Sequence, residues 1–443
     1  MRGVRGTRDG IRGRLAGTAT AALAVVAVAA AAGGCTGGDG GGGEPTPDGA
    51  TYPPADALER LWAVPGGDTG VAGWSTPDTF ATAVLPGTLR GYDPETGAER
   101  WRLALPEGST EICAMSEEPN AAGIVAVVFR TPVAEGEFDD GFGGSCSTVG
   151  AVSLDDGDLL WSESLVDRVE YAAEPEVALG ESVLTYAAPY GEVFRFRAAD
   201  GEELSAATSP GPRTAVLGER RHVLLDQSGE EDWLRVRDAE TDELLWERPA
   251  GENEGEPLQI VADDPDVPLL VLFDDGGQAT LRAYDDTGEP RYELGPDDAG
   301  APATENAWVP FRGPLVEDGV LVTGYADDPR LHAHDLTTGE ELWSTPLEGG
   351  RPFAIQDGRL LVSVPEHPDD EHRFEQRLYA YDLHGGERTE LGLVAHLHPW
   401  DPDGPTTPLE TAVIPLATDA DRTYVLHLVS GGDGPRILAY PLP

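Results

Sequence analysis

The chain contains no lysine: all 30 of its basic residues are arginine, set against 80 aspartates and glutamates. A formal net charge of −50 repels phosphate backbones and anionic headgroups, which disfavours nucleic-acid binding and electrostatic docking on a membrane. Cysteine is scarce, at three in 443 residues, and none has a Cys or His neighbour at metal-ligand spacing, so no zinc site is expected. Long apolar runs are scarce too. The one candidate, Leu23 to Ala32, is short and alanine-rich, a poor transmembrane helix. Also missing are a Ser-His-Asp signature, a phosphate-cradling glycine loop and a basic stripe, which removes the commonest hydrolase, nucleotide and nucleic-acid readings.

What is present begins with an address. Arg2, Arg5, Arg8, Arg12 and Arg14 precede the apolar run, which ends at Ala32-Gly33-Gly34-Cys35. That ending resembles a lipobox, and the resemblance implies cleavage before Cys35 and a diacylglycerol on its thiol. Residues 1–34 then form a lipoprotein signal peptide, and residues 35–55, dominated by Gly, Pro, Asp and Thr, a flexible tether. A secreted protein with an ordinary cleaved signal is the alternative. The leader holds five of the arginines and only Asp9 among the acids, so the exported part is more acidic still, which suits solubility in a cation-rich exterior. With Cys35 assigned to lipid, Cys113 and Cys146 remain, and in an oxidising exterior they are expected to pair. A disulfide closing a loop of that length contributes about 3 to 4 kcal/mol on the chain-entropy argument.

From residue 56 the chain repeats itself. Gly91-Tyr92-Asp93-Pro94-Glu95-Thr96-Gly97-Ala98-Glu99-Arg100-Trp101 returns without a gap as Ala333-His334-Asp335-Leu336-Thr337-Thr338-Gly339-Glu340-Glu341-Leu342-Trp343. Val236 to Trp246 keeps the pattern with Asp242 in the glycine place, and Ala151 to Trp161 keeps it with Ser153 in the aspartate place. Arg195 to Ser205 retains Gly201 but not the Trp, Ala283 to Tyr292 is one residue shorter, and Ala380 to Glu390 retains Tyr381, Asp382 and Gly386. Each unit reads as strand, turn and strand. The aspartates accept backbone N–H groups across the turn, Gly97 and Gly339 supply a positive φ, and Trp101, Trp161, Trp246 and Trp343 carry an area that a lone hairpin cannot bury. Upstream β-rich segments, such as Thr79 to Leu85, Gly123 to Phe129, Leu269 to Phe273, Gly319 to Tyr325 and Arg359 to Val364, bring each unit to four strands. Repeats spaced at about 50 residues match the length of a propeller blade.

The pattern A-x-D-x-x-T-G-x-x-x-W resembles the tryptophan-docking repeat of the pyrroloquinoline-quinone (PQQ) propeller family. The resemblance spans residues 56–443 and implies an all-β, eight-bladed β-propeller of four-stranded antiparallel blades. Seven blades is the alternative, if the copy at Arg195 is not a blade. Ile437 to Tyr440 has the first half of the hairpin and Leu58 to Trp62 has the second, so the two ends are expected to pair and close the ring. The recurring hairpin itself is expected to form the inner seam of the ring.

The same resemblance implies, for the catalytic members, a quinone on the axis, a calcium ion, a catalytic Asp and, in many, two adjacent cysteines. This chain has no Cys-Cys pair and little length for substrate-capping insertions. Asp93, Asp238, Asp285, Asp335 and Asp382 recur at one turn position and read as turn residues, while Trp62 and the four repeat tryptophans read as interblade core. Trp74, Trp233, Trp308 and Trp400 fall outside that register and are better placed to meet a ligand. His332 with His334, and His396 with His398, share strand faces but lack a third ligand, and read as strand filler. The acidic loops at Asp139-Asp140, Asp263-Asp264-Pro265-Asp266 and Asp401-Pro402-Asp403-Gly404 lack a full calcium-loop ligand set. The expectation is therefore a non-catalytic binding or scaffold propeller with no cofactor and no metal. It is expected to be a monomer, held by its N-terminal lipid at the outer face of the cytoplasmic membrane. Its partner is an unknown protein or cell-wall polymer at the axial face. In layout it is similar to the lipid-anchored propeller of the outer-membrane β-barrel assembly machinery. A PQQ-dependent dehydrogenase of alcohols or sugars is the alternative.

Overall fold

The computed structural model describes residues 58–442 apart from 66–68, 86–87, 133–143, 170–174, 189–192, 208–213, 227–230, 252–254, 265, 275–278, 296–313, 325–329, 348–350, 366–375, 395–408, 419–420 and 431–435. All of these belong to one unit, Thr51–Pro443. The described strands number 32 and form eight four-stranded antiparallel sheets, seven of them built from consecutive strands paired in order. They are blades I (69–102), II (111–164), III (176–207), IV (214–249), V (256–294), VI (315–346), VII (351–394) and VIII, which joins 409–441 to 62–65.

The segment beginning at Arg195 belongs to a complete blade, so the count is eight and the alternative of seven falls. Its four strands are Glu176–Leu179, Val183–Ala187, Val193–Arg197 and Glu203–Ala207. Blade VIII takes its outer strand from the start of the chain. Trp62–Pro65 pairs antiparallel with Arg436–Pro441, Trp62 opposite Ala439 and Pro65 opposite Arg436, which completes the fourth strand of the blade and ties the two ends of the chain together.

Burial within a blade follows strand position. Second strands are sandwiched between neighbouring blades, as in Ile124–Thr131, where Ile124 to Phe129 are all buried. Fourth strands such as Leu159–Ser164 and Leu244–Pro249 are largely exposed. First strands touch the first strands of neighbouring blades, with Thr69–Ser75 meeting Leu409–Thr418 at the closure. The first strand therefore lines the axis, and the repeated hairpin, made of third and fourth strands, lies outermost. The expectation of an inner seam is corrected: alternating apolar residues show that the hairpin has a buried face, but both inner and outer strands of a blade have one.

Candidate functional site

The hairpin residues are placed where they lock one blade to the next. In blade I, Asp93 Oδ1 accepts from Glu95 N at 3.1 Å, Thr96 N at 2.8 Å and Thr96 Oγ1 at 2.8 Å. Asp335 does the same for Thr337 N at 3.0 Å and Thr338 N at 2.8 Å. These bonds hold Asp93 below the usual carboxylate range and shape a turn whose glycine presents a bare face to the preceding blade. A Cβ on Gly157 would stand 2.4 Å from the Trp101 ring, and Gly97, Gly339 and Gly386 face Trp62, Tyr292 and Trp343 in the same way.

The docked ring also donates to the carbonyl that follows the turn aspartate position. Trp62 Nε1 reaches Pro94 O at 2.9 Å, Trp101 Leu154 O at 3.0 Å, Trp161 Ala198 O at 2.7 Å and Trp343 Leu383 O at 2.9 Å. Tyr292 takes the place of Trp in blade V, and its hydroxyl donates to Leu336 O at 2.6 Å. Trp246, 8% exposed, lies over Gly288. The closing junction is reinforced: Trp62 is ringed by Phe80, Tyr92 and Tyr424 at centroid distances of 6.1, 6.5 and 5.8 Å. All of these groups are structural locks.

Cys113 and Cys146 are joined as a disulfide in blade II, with Cα atoms 6.1 Å apart. They lie on its first and third strands. Cys35, His396, His398, Trp308, Trp400, Asp139, Asp140, Asp401 and Asp403 lie outside the described residues. His332 Nδ1 pairs with Glu341 Oε2 at 2.8 Å and its ring stacks on His334. No group of three or more metal-ligating side chains is assembled among the described residues.

The concave surface lies on the axis. A cavity of about 440 Å³ is walled by the first strands of blades II to V and the turns that follow them. Glu117, Glu118, Glu176, Glu219 and Asp263 line it together with Leu179, Val216 and Ile260, and no arginine is among its lining residues. Glu176 is pushed up to about 7 by burial of its carboxylate in the concave wall, against the Leu217 N–H that lowers it, with Glu117 adding repulsion. Glu219 is likewise pushed up to about 7, by burial first and then by Asp263, Glu118 and Glu117, with Arg220 opposing. Both side chains keep much of their surface open to water at the mouth. A second cavity, about 350 Å³, shares Glu118 with the first and is bounded by blades I, VI, VII and VIII. Burial, Asp318 and Asp357 raise its Glu317.

Trp74 lines this second cavity, is 3% exposed and donates from Nε1 to Glu117 O at 3.0 Å. It thus combines the buried role with a wall position, while Trp233 is half-buried at the start of a third strand in blade IV. Of these carboxylates only Asp263 stood out in the sequence, in the acidic loop that begins there; the axial glutamates belong to no repeated motif. Their one signal is position, at or just beyond a first strand. Among the described residues no helix is long and apolar enough to cross a membrane.

These features define a class: a closed eight-bladed propeller whose blades are locked by rings docked on an aspartate-glycine turn, with an acidic axial hollow. The chain belongs to the PQQ-like family described as outer membrane protein assembly factor BamB, whose sequence model matches residues 55–220 and 145–390. BamB from Moraxella catarrhalis is similar at 14% identity, covering 87% of this chain and 100% of that one, with a TM-score of 0.49. The computationally designed protein Ika8 covers 86% of this chain and 99% of its own at 15% identity and a TM-score of 0.54. Sqt1 of Saccharomyces cerevisiae covers 87% and 100% at 11% identity and a TM-score of 0.52. These likenesses concern the fold alone. No curated protein matches the chain.

Proposed function

We propose that this protein is a non-catalytic, lipid-anchored scaffold outside the cytoplasmic membrane that holds a partner protein at its axial hollow. The observation that carries this reading is the first cavity, whose lining sets five carboxylates beside apolar walls and includes no arginine. Such a lining suits a protein segment that presents basic and apolar side chains together, because carboxylates crowded in a concave wall attract an incoming cation while the apolar walls bury its neighbours. The family description, an assembly factor, supports a scaffold role, and membership of that family supports a place in the cell envelope.

The reading is tested by titrating the exported chain with a synthetic Arg-Leu repeat peptide at low and high salt. Micromolar binding that weakens with salt, and fails in a Glu117→Gln/Glu219→Gln variant, is expected. Absence of binding at low salt overturns the axial site. A separate arm adds quinone and calcium and follows dye reduction with alcohols and sugars, and turnover there would overturn the non-catalytic reading.

A further inference from the structure

One junction of the ring is built differently from its neighbours. Blade III carries Ser205 where the docking ring belongs, and blade IV carries Asp242, at φ 62°, where the receiving glycine belongs. Both halves of the lock depart together. In their place Arg195, opposite Ser205 in the strand pair, donates from Nη2 to Ala239 O at 2.7 Å, the carbonyl that a ring takes elsewhere. His222 Nε2 meets Thr185 Oγ1 at 3.0 Å, and Glu240 accepts from the backbone of Ser182 at 2.9 Å and from its hydroxyl. At the axial end Leu217 N donates to Glu176 Oε2 at 3.2 Å.

We propose that the junction between blades III and IV is the hinge of the ring and adjusts the width of the axial cavity. A ring seated on glycine loses a large buried area when it moves, whereas blades III and IV meet through hydrogen bonds, and among the described residues no apolar core cluster joins them as one joins every other neighbouring pair. The hinge is also placed to matter. The cavity is walled by blades II and III on one side of this junction and by IV and V on the other. Glu176, itself a wall residue, bridges the junction. Coupling to an occupant rests on the binding reading above, but the hinge does not.

The test is hydrogen exchange at five matched amides. Ala239 N donates to Arg220 O at 2.8 Å, and its counterparts are the amides of Leu154, Ala198, Leu336 and Leu383, bonded at 2.8 to 3.0 Å. After correction for intrinsic rates, Ala239 is expected to exchange about tenfold faster than the other four, as the amide of the least stable junction. Replacing the junction with the common lock, Arg195→Ala/Ser205→Trp/Asp242→Gly, is expected to bring Ala239 into line with them. Should that variant not fold, Arg195→Met serves: it is expected to speed exchange at Ala239 alone. Equal protection at all five amides in the wild type, or a uniform effect of Arg195→Met across them, overturns the hinge. Adding the Arg-Leu peptide is expected to protect Ala239 selectively. If the peptide fails to bind, only the binding reading falls, because the peptide-free comparison still decides the hinge.

Discussion

Arg195 donates to the Ala239 carbonyl at 2.7 Å, in the position where Trp161 donates to Ala198 and Trp343 to Leu383. A guanidinium thus does the work of an indole at a junction 44 residues apart in sequence. The substitution of one donor for another explains how blade III stays in the ring without its tryptophan. A comparable exception occurs where blade VII meets blade VIII. Thr389 lies opposite Ala380 where the ring belongs, the adjoining Glu390 pairs with Arg377, and the hairpin a ring would dock on has no turn because its two strands come from opposite ends of the chain.

The closing junction concentrates the most aromatic contact. Trp62→Ala removes the ring from among Phe80, Tyr92 and Tyr424 and leaves Pro94 O without its donor. A loss of about 3 to 5 kcal/mol is expected, as for other buried Trp truncations. Urea unfolding followed by tryptophan-independent circular dichroism checks it, and a loss below about 1 kcal/mol would show that the ends are held by backbone pairing alone.

Two glycines separate backbone strain from docking. Gly157 and Gly319 share a positive φ, at 74° and 75°, but a Cβ meets the Trp101 ring at the first and nothing within 4 Å at the second. Gly319→Ala is expected to cost about 1 kcal/mol, the left-handed backbone penalty. Gly157→Ala is expected to cost clearly more, because the Trp101 ring must also lift. Equal costs in denaturant titrations would contradict the docked geometry.

Glu176 and Glu219 titrate near 7 in the folded chain against 4.5 for ordinary glutamate. The stability they contribute is complete below pH 4.5 and is lost as pH rises through 7. A Glu176→Gln/Glu219→Gln variant should therefore gain on the wild type between pH 5 and pH 8. His222 acts in the opposite sense: burial holds it near 4 against 6.5, so its contribution is complete above pH 6.5 and falls as pH drops towards 4. Unfolding midpoints of both chains across this range decide the matter, since a pH-independent offset would mean that these carboxylates are not desolvated. Binding of the basic peptide should tighten as pH rises through 7.

Reduction of the Cys113–Cys146 bond, or Cys113→Ser/Cys146→Ser, is expected to lower stability by about 3 kcal/mol while leaving eight blades intact. Melting with and without reductant, alongside an unchanged β-sheet spectrum, is the measurement.

Cys35→Ser should move the protein from the membrane pellet to the soluble fraction in its native host. Retention in the pellet would mean that the anchor lies elsewhere.

Much of the ring was legible because its signals are local. Asp93, Gly97 and Trp101 fall within nine residues, so one hairpin announces itself, and its return at 335, 339 and 343 announces the next. The axial glutamates were not legible. Glu117, Glu176, Glu219 and Glu317 come from four different blades with no common register, and alternation along a strand does not reveal which edge of its sheet faces the axis.

The amino-acid sequence alone determined the hairpin and its repetition, since an aspartate that caps its own turn and a glycine at positive φ act over a few bonds. Only the tertiary structure decided which strand lines the axis, which residues form the hollow, and that Arg195 stands in for an indole. Each of those depends on side chains brought together by closure of the ring, and closure is a property of all eight blades at once.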